Sequence, residues 1–137
     1  MCFRQDMPFI ILLNFNIICI MVSIVLATYN GEKYLPDLLN SLISQTYSDF
    51  ELLICDDVSS DNTYGILSDY AARDTRIKLE QNVVNVGFKK NFENLCLKAN
   101  GEFVALCDQD DIWMPNHLEL LVNAIGNSDL AIGNADL

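Results

Sequence analysis

From Val22 onward the chain alternates short apolar runs with apolar stripes at helical spacing, and this alternation restricts its fold more than any other feature. Residues 22–27, 50–55 and 103–107 are rich in aliphatic side chains and nearly uncharged, as strands buried on both faces of a parallel sheet are. A shorter strand is expected at residues 77–80 and a last one at 130–132. Leu35, Leu38, Leu39, Leu42 and Ile43 fall on one helical face, with Pro36 where a first turn tolerates it. Thr63, Ile66, Leu67 and Tyr70 mark a second helix. Phe88, Phe92, Leu95, Cys96 and Ala99 mark a third, ended by Asn100-Gly101. Pro115 is expected to open a fourth, carrying Leu118, Leu121, Val122 and Ile125. Such regular alternation predicts an α/β fold of right-handed βαβ units around a mostly parallel sheet.

A parallel sheet gathers the carboxyl ends of its strands along one edge, where open α/β folds bind their ligands. Polar residues cluster after three of the expected strands. Thr28, Tyr29, Asn30 and Gly31 follow the first. Asp56 and Asp57 follow the second, with Ser59, Ser60 and Asp61 behind them. Asp108, Asp110 and Asp111 follow residues 103–107. Each cluster alone also fits a turn, a strand exit or a helix cap before Pro115. Together they converge on one crevice. Acids crowded at a strand end repel one another unless a cation stands between them. A hard divalent ion bound through oxygen, itself bridging the phosphates of a ligand, meets that need. Trp113 and Ile112 are expected to pack beneath this loop, and His117 to be a surface or capping residue.

The 137 residues fit one domain at most, and a 51% hydrophobic composition is ample for a packed core. The net charge of -11 argues against non-specific nucleic-acid binding, which needs clustered Lys and Arg. Cys2, Cys19, Cys55, Cys96 and Cys107 are odd in number and widely spaced, with no Cys-x-x-Cys pair to suggest zinc or redox chemistry. That pattern fits a reducing, cytoplasmic setting. Residues 8–27 carry no charge and are long enough for a membrane span or anchor. Asn14 and Asn16 interrupt the run, however, and the first strand claims its end. Three accounts of residues 1–20 stay open: an apolar extension upstream of a natural start at Met21, a membrane anchor, or a packed or disordered extension. The domain itself is expected at residues 21–137.

Residues 22–31 (Val-Ser-Ile-Val-Leu-Ala-Thr-Tyr-Asn-Gly), 42–47 (Leu-Ile-Ser-Gln-Thr-Tyr) and 56–63 (Asp-Asp-Val-Ser-Ser-Asp-Asn-Thr) resemble family 2 glycosyltransferases of the GT-A fold. Residues 85–87 (Asn-Val-Gly), 100–102 (Asn-Gly-Glu) and 108–113 (Asp-Gln-Asp-Asp-Ile-Trp) continue the pattern in order. The last variant looks most like members that build bacterial surface polysaccharides, including rhamnosyltransferase-like ones. The resemblance implies a Rossmann-like, nucleotide-binding half of a GT-A domain. It implies transfer of a sugar from a nucleotide-diphosphate sugar, of UDP or dTDP type, to a glycan or lipid-linked acceptor. Thr28, Tyr29 and Asn30 would line the nucleotide pocket. Asp57 would accept a hydrogen bond from a uracil-type base, and Asp56 would shape the strand exit beside it. Asp108 and Asp110 match the Asp-x-Asp motif: Asp110 as principal ligand of Mn²⁺ or Mg²⁺, Asp108 facing the ribose or the metal's water shell. Lys89 or Lys90 would supply positive charge near the nucleotide, unless each is simply a solvated helix-face lysine.

The family's inverting mechanism also needs a general base for the acceptor hydroxyl. In the family it follows the segment matched by residues 130–137, so it is expected beyond Leu137 and no catalytic residue is named here. The chain is thus expected to be the nucleotide-binding half, with the acceptor half missing. A truncated, inactive nucleotide-binding remnant is the alternative. Strands left without neighbours predict self-association or poor solubility. Peripheral association with the inner face of the membrane is compatible with a lipid-linked acceptor. A receiver-type signalling domain would share the length and acidity. It requires an acidic pair after the first strand and a Lys after the last, where this chain has Thr-Tyr-Asn and no lysine.

Overall fold

A computed structural model describes residues 20–129, so the strand expected at 130–132 and most of the extension at 1–20 lie outside the described residues. Strands β1 (Val22–Thr28), β2 (Phe50–Asp56), β3 (Ile77–Gln81) and β4 (Phe103–Cys107) alternate with helices α1 (Leu35–Ile43), α2 (Thr63–Ala71), α3 (Phe88–Lys98) and α4 (His117–Ile125). The strands form one parallel sheet in the order β3-β2-β1-β4. The chain steps outward from β1 to β3, then returns through α3 to place β4 on the other side of β1. That reversal creates a switch point between the carboxyl ends of β1 and β4. Among the described residues no helix is long and apolar enough to cross a membrane.

The alternation of side chains along each strand divides the core in two. On one face Val22, Ile24, Leu26, Phe50, Leu52 and Ile54 pack against Leu35, Leu38, Leu39 and Leu42 of α1, with Leu67 of α2 and Leu118 of α4 in the same cluster. On the other, Val25, Ala27, Leu53 and Cys55 pack against Phe92 and Leu95 of α3. Every residue of β1 and β2 is buried, which is why both segments read as continuous apolar runs. Among the described residues β4 is an edge strand, and on the α3 side its Val104 and Leu106 are 43% and 66% exposed.

The α3 face also carries a buried charge. Glu51, 5% exposed, accepts hydrogen bonds from Ser23 Oγ (2.6 Å), the Asn100 N–H (2.9 Å) and Lys78 Nζ (2.6 Å). Ser23 Oγ in turn accepts the Gly101 N–H at 2.8 Å. Gly101 tolerates no side chain, because a Cβ there would lie 2.6 Å from both Met21 O and Ser23 N. This network fixes the turn that feeds β4 into the sheet.

Pro115 does not itself start α4, which begins at His117. The carbonyls of Met114 and Pro115 are instead held by Gln45 Nε2 (2.7 Å) and the Thr46 N–H (2.8 Å) at the end of α1. Trp113 is buried in the core, as expected, with its N–H donating to Ser41 Oγ at 3.1 Å. Ile112 is not: it is 69% exposed, because Trp113 takes the interior place beside α1 and the next side chain back faces outward. His117 is half-buried and packs against Trp113 in a tilted arrangement, ring centroids 4.8 Å apart and planes at 57°.

Candidate functional site

A cleft of about 380 Å³ opens at the carboxyl ends of the strands, within the size range of small-ligand sites. β1 and the loop after it contribute Ala27, Thr28, Tyr29 and Tyr34. The loop after β2 contributes Asp57, and the turn after β3 contributes Asn85 and Gly87. Phe88 and Asn91 come from α3, and Asp108, Gln109 and Asp110 from the turn after β4. The switch point thus brings together Thr28, Tyr29, Asp57, Asp108 and Asp110, which lie up to 82 positions apart in sequence. Asn30, Asp56 and Lys89 do not line it.

The two aspartates that end β2 have different surroundings. Asp56 is fully buried and its carboxylate is occupied by protein donors. Oδ1 accepts from Thr28 Oγ1 (3.1 Å) and Ser59 Oγ, and Oδ2 from the Ser59 N–H (3.0 Å) and Gln81 Nε2 (2.9 Å). Asp56 therefore ties the ends of β1, β2 and β3 together. Asp57 faces the cleft and organises the turn that walls it. Its Oδ1 accepts from Asn82 Nδ2 (2.8 Å) and the Val86 N–H (2.9 Å), and its Oδ2 from the Gly87 N–H (2.9 Å). Burial pushes the Asp57 carboxyl up, and the Val86, Asn82 and Gly87 donors more than offset this, holding it below the ordinary value. Each carboxylate oxygen has two lone pairs, so Oδ2 keeps capacity for a ligand donor.

Between them the backbone takes an uncommon path. Val58 sits at φ 62°, a left-handed conformation that β-branched residues seldom adopt. It turns the chain sharply enough that Asp57 faces α3 while Ser59 reaches back to Asp56. Asn30 is also left-handed, at φ 48°, which suits its side chain. Its Oδ1 accepts the Ser60 N–H at 2.8 Å and its own N–H donates to Ser59 Oγ at 2.9 Å. Asn30 is thus a brace between the β1 and β2 loops. Lys89 lies on the outer face of the start of α3, in a shallow depression with Lys90 and Glu93, and Lys90 pairs with Glu93 at 2.9 Å.

The turn after β4 differs in kind. No protein donor among the described residues reaches the carboxylates of Asp108 or Asp110, and no Lys or Arg lines the cleft. Burial, then the neighbouring charges of Asp111 and Asp110, raise the Asp108 carboxyl above its ordinary value. Two oxygen donors of like charge facing an open cleft fit a hard cation that completes its shell with ligand phosphates and water. Among the described residues no three acidic, His or Cys side chains form a closed metal cage, so the ligand itself would have to supply part of the shell.

Tyr34, Asn85, Phe88, Asn91 and Gln109 line the cleft without having been singled out as site residues from the sequence. Asn91 carried a signal: an amide inside the apolar stripe of α3 must find partners. Only 1% exposed, it donates from Nδ2 to Cys55 O at 2.9 Å. Tyr29, Tyr34 and Phe88, at 50%, 44% and 67% exposure, form an aromatic rim of the type on which bases stack.

Comparison with known proteins places the chain in a family and a fold. The glycosyl transferase family 2 model matches residues 23–137. A UDP-Glc:alpha-D-GlcNAc-diphosphoundecaprenol beta-1,3-glucosyltransferase of Escherichia coli is 38% identical over 120 residues, covering 85% of this chain and 46% of that protein. A poly(ribitol-phosphate) beta-N-acetylglucosaminyltransferase of Staphylococcus aureus, TarS, is 40% identical over 92 residues, 65% of this chain and 16% of that protein. The crystal structure of TarS in complex with UDP-GlcNAc superposes with a TM-score of 0.72 at 34% identity, over 78% of this chain and 31% of that one. The chain spans less than half the length of these relatives. Its sheet and helices are the N-terminal part of a Rossmann-like GT-A fold. The chain belongs to glycosyl transferase family 2.

Proposed function

We propose that this chain is the donor-binding half of a glycosyltransferase that takes a sugar from a UDP- or dTDP-type donor and passes it to a glycan or lipid-linked acceptor. A divalent metal, Mn²⁺ or Mg²⁺, assists, and the role is in cell-surface polysaccharide synthesis. The observation that carries this is the pairing, in one cleft, of Asp57 and an aromatic rim with two unpartnered carboxylates and no basic side chain. An anionic diphosphate entering such a cleft needs a cation between itself and Asp108 and Asp110. Relatives that act on UDP-linked donors, named above, support the choice of ligand.

In this arrangement Asp57 accepts from a base N–H while Tyr29, Tyr34 or Phe88 covers the base face. Thr28 and Asp108 lie toward the ribose. Asp110, with Asp108, holds the metal, which when bound supplies Lewis-acid stabilisation of the leaving diphosphate. The chain's own contribution is to fix these groups before the donor arrives and to exclude water from one side of it. Acceptor binding and its deprotonation are assigned to no residue here. A cytoplasmic setting, with contact at the inner face of the membrane where a lipid-linked acceptor would lie, belongs to the same proposal.

Calorimetric titration of UDP and dTDP into the chain, with Mn²⁺ and with chelator, tests it. Metal-dependent binding is expected, lost in Asp110→Ala while circular dichroism stays unchanged. Equal binding in chelator would remove the metal from the proposal. No binding by a folded sample would remove the donor site.

A further inference from the structure

We infer that Gln109 is a positioning residue: it latches the acid-bearing turn after β4 onto the loop after β1, and so sets Asp108 and Asp110 against Thr28 and Tyr29. The inference rests on the donor-site proposal for its purpose, but its geometry stands alone. Gln109 Oε1 accepts the Tyr29 N–H at 3.0 Å, and Gln109 Nε2 donates to Tyr29 O at 3.1 Å. One side-chain amide thereby saturates both backbone groups of one cleft residue, as a neighbouring strand would.

The receiving loop is held from behind. The Gly31 N–H donates to Thr63 Oγ1 at 2.8 Å, and Gly31 O accepts from the N–H groups of Tyr34 (3.0 Å) and Leu35 (3.2 Å) where α1 begins. Gly31 also vacates the space the latch needs. A Cβ at that position would stand 2.5 Å from Gln109 Oε1 and 3.0 Å from its Cδ. The glycine and the glutamine are therefore one device.

The latch has a load to oppose. Asp108 and Asp110 flank Gln109, carry like charge and receive no protein hydrogen bond on their carboxylates, so before a cation arrives their repulsion favours an open turn. The turn's own bonds, Asp108 N–H to Asp111 Oδ2 (3.3 Å) and Asp111 N–H to Asp108 O (3.2 Å), shape it without tying it to β1. Two neutral hydrogen bonds hold a closed form over an open one by about tenfold. Without them the closed-to-open ratio falls by about tenfold, and apparent affinity falls by up to that factor as the open form comes to prevail. A glutamate at 109 keeps only one arm, since it accepts the Tyr29 N–H but opposes the Tyr29 carbonyl, and it adds a further negative charge.

The test uses Gln109→Ala, Gly31→Ala and the double variant, read by residue-resolved amide exchange and by UDP titration. Protection of the Tyr29 amide is expected to drop about tenfold in either single variant and no further in the double, because a Cβ added at position 31 has nothing to displace once Gln109 is shortened. Unchanged protection in Gln109→Ala, or additive losses, would overturn the latch. With Mn²⁺, UDP affinity should fall measurably, by up to about tenfold, in Gln109→Ala while affinity in chelator stays at the wild-type value. Equal loss with and without metal would show a merely structural role and overturn the positioning assignment. If the wild-type chain binds no UDP, the donor-site proposal falls, and amide exchange alone decides for or against the latch.

Discussion

Replacing Glu51 by Gln removes a charge from the α3 face while keeping the side chain's shape. Burial pushes the Glu51 carboxyl upward, but Lys78, Ser23 and the Asn100 amides more than offset it, and it is lowered from 4.5 to about 2. A carboxyl depressed in the folded state stabilises it above its unfolded value, and that stabilisation disappears as pH falls toward the folded value. At about 1.4 kcal/mol per pH unit, the gap from 4.5 to about 2 sets a ceiling of about 3.5 kcal/mol. Lys78 is 57% exposed, so its share is screened, and about 2 kcal/mol is the better expectation. Glu51→Gln should therefore lose about 2 kcal/mol at neutral pH in urea unfolding. The difference from wild type should fade between about pH 4.5 and pH 2, where the wild-type carboxyl becomes protonated and resembles the amide. Other low carboxyls, such as Asp57 and Asp74, weaken both proteins alike and cancel in the comparison. A difference that stays constant over that interval would refute the assignment of the stabilisation to the ionised Glu51.

Asp57→Asn turns one acceptor oxygen into a donor, which then opposes either the Val86 N–H at the Oδ1 position or the Gly87 N–H at the Oδ2 position. It should cost about 1–3 kcal/mol in urea unfolding and weaken UDP binding at least about tenfold. Val58→Asn should stabilise the chain by about 1 kcal/mol, since Asn tolerates the left-handed conformation that Val58 occupies; thermal melts showing a loss would place the favourable term in the Val58 side chain instead. Leu106→Thr keeps a β-former on an edge strand and removes an exposed apolar side chain, so sedimentation should show less concentration-dependent association than wild type.

How far the sequence could be read depended on whether a residue's partner was local. β1 and β2 were legible because a strand covered on both faces is apolar at nearly every position, and β4 because its aliphatic run ends abruptly at Asp108, although one of its faces is partly exposed. α3 was legible from Phe88, Phe92 and Leu95, but Asn91 on the same helix was not, because its partners lie on β2 and the turn after β3. Pro115 misled by two residues: its rigid φ suits a first turn, yet it sits in a separate turn closed by the His117 N–H on Met114 O (3.0 Å). The carbonyls of that turn are held by Gln45 and Thr46, and α4 begins only after it. Val58 gave no turn signal at all, being a strand former held by the hydrogen bonds on either side of it. Asp56 and Asp57 looked alike in sequence. Their surroundings differ because successive residues at a strand end point to opposite faces of the sheet.

That last distinction extends along the whole carboxyl edge and separates framework from site. Asp56, Asp57 and Asp61 all receive backbone or side-chain donors, and each thereby fixes a loop: Asp56 the strand ends, Asp57 the turn at residues 85–87, Asp61 the start of α2 through the Thr63 N–H at 3.0 Å. Their charge is balanced locally, so replacing one disrupts structure first. Among the described residues no hydrogen-bond donor reaches the carboxylates of Asp108 or Asp110, and like charges crowded on one turn with Asp111 cost stability. A chain retains such a cost where a ligand removes it. An unbalanced pair on an otherwise satisfied edge is thus the feature that most directly supports a cation-bridged anionic ligand, and it emerges only when donors are counted carboxylate by carboxylate.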